Sequence, residues 1–453
     1  MADLGILAAA GATTTIYPSN TAEESAYIVG DSGAVFAFAE NPEQAAKLIQ
    51  ERGQMPSLRK VILIEGAPPA GGADGWMTTL AELEELGRAW DAAHPGGYAA
   101  SVAAVGPDDL ATLIYTAGTT GKPKGVMLAH DNWLFEAEAI EEIRLLSGED
   151  KQFLFLPLAH SFAKVLEVAF LRIGVTTVIE GSIDELADNL GATHPTVMGA
   201  VPRVFEKVYN RVVTGAREAG GLKYKIFLWS LAVGRRVSAL RQAGRQPAGL
   251  LALRYRIADK LVFSKLKARF GGRIRFFVSG GAPLAREIAE FFHAADILVL
   301  EGYGLTETSA ATFVNRPTRF KFGTVGLPVP GTEVKIAADG EILIRSRGVL
   351  RGYYNRPEDT AEALEPDGWF HTGDIGVLDA DGFLKITDRK KDIIVTAGGK
   401  NIAPQNIENR LKAGCRYISQ VVMLGDRRPF CVAFITINEE MVGKWAAERG
   451  ITY

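Results

Sequence analysis

Short apolar runs alternate with amphipathic stretches from residue 1 to about residue 310, and this alternation constrains the fold more than any other feature of the chain. Two amphipathic stretches, residues 223–240 and 250–270, predict helices with lysine and arginine on the exposed face. The apolar runs that have the length and composition of buried strands are residues 61–64, 153–156, 176–180 and 274–280. The alternation predicts a layered α/β fold.

Beyond this region the pattern changes twice. Residues 323–345 consist of short strand-like runs separated by Gly and Pro turns, which predicts a small β subdomain. A charged break at residues 388–391 precedes a final region that mixes strands with one or two helices. We therefore expect a large domain over residues 1–388 and the start of a small α+β domain over residues 389–453.

Composition excludes several classes of protein. The 453 residues are 47% hydrophobic and 23% charged, and a net charge of −3 argues against a nucleic-acid-binding protein. The two cysteines, Cys415 and Cys431, fit neither a disulfide framework nor a metal site, so we expect a reducing, cytoplasmic compartment. The six histidines are scattered without the spacing of zinc ligands.

A glycine-rich segment, YTAGTTGKPKG at residues 115–125, follows the apolar run LATLIY at residues 110–115. Such a loop can bring backbone N–H groups, hydroxyls and ammonium groups close to a polyphosphate. It is not a Walker P-loop, because Thr116 stands where that motif requires glycine and Pro123 where it requires Ser or Thr. The segment predicts either a phosphate-binding loop or a purely structural turn after a buried strand.

Three further motifs occur after this loop: EGYGLTET at 301–308, WFHTGD at 369–374 and ITDRKKDIIVTAGGKNIAP at 386–404. The four motifs, in this order, resemble the AMP-forming acyl and aryl synthetases of the adenylate-forming superfamily. Within that superfamily, VPRVFEKVYNRV at 201–212 and GGKNIAPQNIE at 398–408 are most similar to long-chain fatty acyl-CoA synthetases. The resemblance implies two steps: a carboxylate attacks the α-phosphorus of ATP, and the CoA thiol then attacks the acyl-adenylate. Neither step needs an enzyme nucleophile, so catalysis would depend on positioning and charge neutralisation.

The resemblance also implies roles for individual residues. Tyr303 would pack against adenine, Thr306 would contact the α-phosphate, and Glu307 would hold Mg²⁺. Asp374 would bind the ribose hydroxyls, with Arg389 as a second ribose contact; the alternative is a surface ion pair of little energetic value. The residues that match the family's phosphate loop are Thr116, Gly118, Thr119, Thr120, Gly121, Lys122 and Lys124.

The remaining implied positions concern the acyl group and the second step. His160 is similar to the family's aromatic or His position beside the substrate carboxylate, although lone histidines are often structural. Gly280, Gly281 and Ala282 would let the nucleotide and acyl group pass close to the backbone, or form a simple strand-to-helix turn. Lys391 is the best match to the pivot of the mobile C-terminal domain, with Asp388 next. Gly398 and Gly399 would let the pantetheine of CoA pass.

The leading hypothesis is a long-chain fatty acid–CoA ligase that uses ATP, Mg²⁺ and CoA. Both ends are shorter than is usual in the family, and the late Pro-x-x-x-x-Gly-Lys motif has no counterpart; Lys444 is expected to be a surface helix residue. One alternative is therefore a truncated chain that binds nucleotide or acyl-adenylate without turnover. The other is an adenylating enzyme with a different acid or acceptor. Because a fatty-acid enzyme must meet lipid, peripheral membrane contact is a further expectation.

Overall fold

The computed structural model describes residues 1–69, 75–116, 122–181, 186–395 and 401–451. The α/β fold class predicted from the alternation is confirmed. Within these ranges, no helix combines the length and the apolar content that a membrane span requires.

The strands fall into one large sheet and several small ones. In chain order they are β1 (Thr13–Thr14), β2 (Phe36–Ala39), β3 (Lys60–Leu63), β4 (Met77–Thr79), β5 (Leu110–Thr116), β6 (Lys124–Ala129), β7 (Lys151–Leu154), β8 (Thr176–Ile179), β9 (Val197–Ala200), β10 (Phe276–Ser279), β11 (Leu298–Tyr303), β12 (Phe313–Val314), β13 (Leu327–Pro328), β14 (Glu333–Ile336), β15 (Glu341–Arg345), β16 (Gly352–Tyr353), β17 (Phe370–Leu378), β18 (Leu384–Arg389), β19 (Ile394–Val395), β20 (Asn401–Ile402), β21 (Ile418–Leu424) and β22 (Val432–Ile437).

The helices pack on both sides of the large sheet and around the small ones. They are α1 (Ala2–Ala8), α2 (Ala22–Ser32), α3 (Pro42–Gln50), α4 (Leu80–Ala93), α5 (Gly97–Ala104), α6 (His130–Glu142), α7 (Ser161–Ile173), α8 (Leu186–Thr193), α9 (Pro202–Glu218), α10 (Gly221–Gln242), α11 (Gly249–Ala258), α12 (Ser264–Ala268), α13 (Arg286–Ala294), α14 (Pro357–Ala363), α15 (Pro404–Gly414) and α16 (Glu439–Ala447).

The large sheet has the strand order β13-β12-β11-β10-β9-β7-β8. Its strands β11, β10, β9, β7 and β8 pair in parallel, whereas β12 and β13 are antiparallel additions at one edge. Successive residues of a strand point to opposite faces. Accordingly, Phe276 of β10 lies in the core against α6 and α7, and Phe277 lies in the core against α9, α10 and α13.

The smaller sheets complete the large domain. A four-stranded sheet, β1-β5-β6-β16, carries the glycine-rich loop between β5 and β6, and the parallel sheet β2-β3-β4 lies nearer the N-terminus. The predicted β subdomain is present as the antiparallel sheet β14-β15-β17-β18. Strand β18 continues through Arg389, so the predicted charged break begins at Lys390 rather than at Asp388.

The region after β18 contains the strands and helices expected of an α+β unit. Strands β21 and β22 form an antiparallel pair, and α15 packs against β21 and β18. Lys444 lies on α16, where its exposed side chain pairs with Glu440 at 3.0 Å. The boundary between residues 388 and 389 stays a prediction.

Candidate functional site

The predicted site residues gather at the carboxyl ends of the parallel strands. His160 follows β7, Gly280 follows β10, and Tyr303 is the last residue of β11. In open α/β sheets this edge is the usual place for a ligand, because the loops leaving adjacent strands converge there. Parallel pairing of β7, β9, β10 and β11 therefore explains why residues far apart in sequence meet.

The predicted phosphate loop closes the hairpin between β5 and β6, in which Thr116 pairs with Lys124. Gly118, Thr119, Thr120 and Gly121 lie outside the described residues. At the far side of the loop, Lys122 is exposed, with its ammonium 5.0 Å from the centre of the Tyr27 ring. Lys124 is engaged differently, in an ion pair with Asp359 at 2.5 Å. Each partner is about one-third exposed, so solvent screens the pair and a phosphate oxygen can compete for the lysine.

The segment after β11 folds into a tight turn that leaves no room at Gly304. A Cβ atom there would lie 1.8 Å from the carbonyl oxygen of Ala310, so only glycine fits. Ser309 and Ala310 both have positive φ, of 56° and 84°, a conformation that costs energy in non-glycine residues. The turn is held by hydrogen bonds that include a long-range one, from the Ser309 hydroxyl to the carbonyl oxygen of Gly348 at 2.8 Å. These contacts fix the short 3₁₀ helix Thr306–Thr308, which carries two predicted site residues.

Glu307 is a candidate cation ligand. Burial raises the pKa of its carboxyl group, and the hydroxyl of Tyr353 opposes that shift by donating to Oε1 at 3.0 Å. Among the described residues, no lysine or arginine forms an ion pair with Glu307. A carboxylate that burial has deprived of water gains strongly from a cation. The donor set fits Mg²⁺, which commonly takes one or two carboxylates and completes its shell with phosphate oxygens and water. The described residues contain no cluster of three or more metal-ligating side chains.

Tyr303, Asp374 and Arg389 form one group. The Tyr303 hydroxyl donates to Asp374 Oδ2 at 2.6 Å, and Arg389 Nε lies 3.4 Å from Asp374 Oδ1. Asp374 and Arg389 are directly paired across β17 and β18, which explains why two distant motifs meet. Burial raises the pKa of Asp374, while its bond to Tyr303 and the Arg389 guanidinium lower it. A buried carboxylate beside a tyrosine ring has the chemistry needed to bind a diol next to an aromatic base.

His160 forms the N-cap of α7. Its Nδ1 accepts a hydrogen bond from the Phe162 N–H at 3.1 Å, so in the neutral ring the proton is on Nε2. That nitrogen can donate to a carboxylate. The next residue, Ser161, has its Oγ 3.3 Å from Thr306 Oγ1, which joins the loop after β7 to the turn after β11.

The turn after β10 contains Gly280, Gly281 and Ala282. Gly281 has φ of +79°, a conformation that favours glycine, and both Gly281 and Ala282 are exposed. Beneath this turn lies Glu301, which the sequence analysis did not single out. Its Oε2 accepts from the Leu284 N–H at 3.3 Å, whereas its Oε1 is buried without a hydrogen-bond partner within the described ranges. Burial raises the pKa of Glu301 to about 7.

Glu301→Gln is expected to stabilise the protein at pH 8 but not at pH 5. The unfolded carboxyl group ionises near its ordinary pKa of 4.5 and the folded one only near 7, so stability falls as pH rises through this window. Glutamine does not ionise and removes that cost, which is at most about 3 kcal/mol above pH 7. Urea unfolding at both pH values measures the difference. The matched control is Glu287→Gln, at an exposed position on α13; equal effects of Glu301→Gln at both pH values would contradict the assignment.

The predicted pivot lies where β18 ends. Lys391 is exposed, whereas the preceding Lys390 is tied down by ion pairs to Asp339 at 2.7 Å and to Glu341 at 2.8 Å. Glu341 is buried and also accepts from the Gly373 N–H at 2.9 Å. Lys391 is therefore the first residue past a well-anchored corner. Gly398 and Gly399 lie outside the described residues.

Besides Glu301, sequence reasoning missed three contributors: Tyr353, Asp359 and Glu341. Tyr353 reaches Glu307 because the short strand β16 pairs with β6. Asp359 lies in the first turn of α14, the helix that follows β16, and forms an ion pair with Lys124 from there. In the sequence, the only signal for any of these contacts is the pair of acidic residues at the start of α14, and such residues equally indicate ordinary stabilisation of a helix N-terminus.

The chain matches known proteins over most of its length. The profile of the AMP-binding enzyme family matches residues 1–354, and that of the AMP-binding enzyme C-terminal domain matches residues 391–449. The long-chain-fatty-acid–CoA ligase FadD15 of Mycobacterium tuberculosis is 42% identical over 99% of this chain and 73% of its own length. The human long-chain-fatty-acid–CoA ligase ACSBG1 is 33% identical, over 96% of this chain and 61% of its own length.

Solved structures share the fold. The anthranilate CoA ligase AuaEII in complex with anthranoyl-AMP superposes with a TM-score of 0.69 at 19% identity, covering 98% of this chain and 77% of that one. A Mycobacterium tuberculosis fatty acyl CoA synthetase gives 0.62 at 24% identity, covering 99% and 78%. The resemblance seen in the motifs is confirmed, and the chain belongs to the AMP-binding enzyme family.

Proposed function

We propose that this chain activates a long-chain fatty acid with ATP, through an acyl-adenylate, and transfers the acyl group to CoA with release of AMP and pyrophosphate. The observation that carries the proposal is the buried carboxylate of Asp374, held between Tyr303 and Arg389 and close to Glu307, at the carboxyl edge of the parallel sheet. The choice of acid is supported by the relatives, which are named long-chain-fatty-acid–CoA ligases.

In the first step the protein's task is to hold ATP and neutralise its charge. Asp374 would accept hydrogen bonds from the ribose diol while the Tyr303 ring packs on adenine. Glu307 would hold Mg²⁺, which supplies charge neutralisation on the phosphates. Lys124 and Lys122 would exchange their present neighbours for the β- and γ-phosphates as pyrophosphate leaves. His160 would donate from Nε2 to the fatty acid carboxylate.

In the second step the CoA thiol attacks the acyl-adenylate. We propose that the part of residues 389–453 beyond the anchored Lys390 acts as a mobile domain that turns about Lys391, with Gly398 and Gly399 passing the pantetheine arm. The exposed position of Lys391 beside the anchored Lys390 suits a hinge, because one residue can rotate while its neighbour stays fixed. Cys415 and Cys431 are both free thiols, which suits a cytoplasmic reaction.

The test is product analysis of the purified chain with ATP, Mg²⁺, CoA and a panel of fatty acids. Matched amounts of AMP and long-chain acyl-CoA are expected, and the Glu307→Gln chain, purified identically, controls for contaminating ligases. Trapping the first intermediate with hydroxylamine separates the two steps. Formation of the acyl-adenylate without acyl-CoA would indicate that the acceptor is not CoA. Binding of ATP without any product would contradict the ligase proposal and favour a nucleotide-binding protein without turnover.

A further inference from the structure

Helices α10 and α11 and the segment after them carry a strong charge imbalance. Residues 221–269 contain twelve lysines and arginines but a single acid, Asp259, whereas the whole chain has 50 basic and 53 acidic residues. Two of the twelve cations have acidic partners: Arg241 pairs with Asp296, and Lys267 with Asp259. The other ten form no ion pair within the part of the chain that the structure describes. Their charge is therefore available to a partner.

The same helices expose large apolar side chains at helical spacing. On α11 and the π-helical turn that follows it, Leu250, Leu253, Ile257 and Leu261 are 62%, 52%, 45% and 43% exposed. The intervals of three and four residues place them along one side of the helix. Helix α10 exposes Leu222, Leu228 and Trp229, of which Leu222 and Trp229 are seven residues apart and lie on the same side of that helix. We call these seven side chains, with the basic residues between them, the α10–α11 face.

The opposite side of each helix is committed to the core. Phe227, Leu231 and Val237 of α10 and Tyr255 of α11 are buried in the cluster that covers the large sheet, and α10 packs against both α11 and α13. The α10–α11 face thus lies on the side of these helices away from the core. Its apolar side chains are not part of the buried core cluster. Exposed apolar patches rimmed by polar residues are a common mark of an interaction surface.

We propose that the α10–α11 face docks on an anionic phospholipid bilayer. Leucine, isoleucine and tryptophan side chains at this spacing would enter the boundary between headgroups and acyl chains. The lysines and arginines between them can extend their ends to lipid phosphates. This proposal rests on the proposed function, since a long-chain fatty acid partitions into membranes. Helix α9 begins after the carboxyl end of β9 and is followed directly by α10 in the chain.

Other occupants fit less well. A second copy of the face would bring two strongly basic surfaces together, and like charges across an interface oppose association. A nucleic acid would satisfy the basic residues but leave the seven apolar side chains without an apolar partner. A bilayer with anionic headgroups satisfies both sets of side chains at once.

Vesicle flotation tests the proposal without ATP, CoA or turnover. The probes are phosphatidylcholine vesicles with and without phosphatidylglycerol. We expect the protein to bind vesicles that contain phosphatidylglycerol at least about tenfold more tightly than vesicles of phosphatidylcholine alone. Raising the salt concentration should weaken binding to the anionic vesicles. Arg254→Glu with Lys260→Glu should weaken binding about tenfold or more, and Leu250→Ser with Leu253→Ser should weaken it without a change in charge.

The matched control is Arg59→Glu with Lys385→Glu, which makes the same charge change at exposed positions elsewhere. Its binding should stay within about twofold of the unchanged protein, because charge far from the contact is screened. Equal binding to both vesicle types, or an equal loss in the control, would overturn the proposal. So would a dimer in solution that dissociates on Leu250→Ser with Leu253→Ser. If no fatty acid is turned over but anionic vesicles still bind through this face, the ligase proposal fails and the docking surface remains.

Discussion

Glu307→Gln is expected to lower kcat/KM for ATP by about two orders of magnitude while leaving the protein at least as stable as before. Removing a preorganised charge from a buried reaction centre typically costs about 3 kcal/mol of transition-state stabilisation. Stability should not fall, because burial already raises the pKa of this carboxyl group and glutamine is never ionised. Steady-state kinetics over a Mg²⁺ titration, with thermal unfolding of the same samples, measures both effects.

Tyr353→Phe is the matched control for this substitution. It removes the hydrogen bond to Glu307 Oε1 but keeps the carboxylate and the aromatic ring near Lys124. A single lost hydrogen bond should change kcat/KM by less than about tenfold. Equal losses in the two variants, or activity of Glu307→Gln close to that of the unchanged chain, would show that the Glu307 charge does not serve the reaction.

A substitution that lowers activity without lowering stability would also distinguish a functional carboxylate from a structural one. Glu341 provides the contrast, because it is buried but accepts hydrogen bonds from Lys390 and from the Gly373 N–H. Hydrogen bonds and a charge partner hold the pKa of Glu341 below its usual value, although burial alone would raise it. A carboxylate satisfied in this way stabilises its surroundings. At Glu307, by contrast, burial outweighs the backbone N–H, the Tyr353 hydroxyl and the Arg389 charge, so the pKa stays raised and the carboxylate would gain from a cation.

The α/β fold could be predicted because buried parallel strands have a simple signature. Predicted strands 176–180 and 274–280 correspond to β8 and β10 with small changes at their ends. Strand β7 is different: it runs Lys151–Leu154, two residues earlier than predicted. The apolar residues that misled the prediction, Phe155 and Leu156, pack against the core from the loop leading to His160. Apolar content marks burial, and it does not separate a strand from a buried loop.

The helix predicted over residues 250–270 shows a second limit. It is present as α11 and α12, but the π-helical turn Asp259–Phe263 interrupts them. The apolar spacing of Leu250, Leu253 and Ile257 carries on to Leu261 with little disturbance, so no sequence period marks the turn. Backbone hydrogen bonding changes there while the pattern of buried and exposed residues hardly does.

The site residues also divide into those that a local sequence pattern predicts and those that it does not. Tyr303, Glu307, Asp374 and Arg389 belong to motifs, and each motif is a local run of residues that can be recognised without a fold. Tyr353 could not be predicted, because it reaches Glu307 only through the two-residue pairing of β16 with β6. Supporting contacts of this kind come from elements remote in sequence, whose positions depend on packing rather than on any local pattern.

Asp374→Asn is expected to raise the KM for ATP by about 30- to 100-fold with a much smaller effect on the KM for fatty acid. Two hydrogen bonds from a ribose diol to a carboxylate are charge-assisted, and losing that charge costs roughly 2–3 kcal/mol. The amide NH₂ of asparagine would also meet the Arg389 guanidinium, which has no acceptor, where a carboxylate oxygen now lies 3.4 Å from Nε. The fatty acid KM, measured on the same preparation, is the internal reference.

Tyr303→Phe separates the ring from the hydrogen bond. Phenylalanine keeps an aromatic face for adenine and frees Asp374 Oδ2 from the bond that it now accepts at 2.6 Å. We expect the KM for ATP to change less than about fivefold, because stacking depends on the ring rather than the hydroxyl. If Tyr303→Phe were as damaging as Asp374→Asn, the carboxylate would serve mainly to orient the tyrosine. If neither substitution changed the KM for ATP, the nucleotide would have to bind away from the group that Asp374 forms with Tyr303 and Arg389.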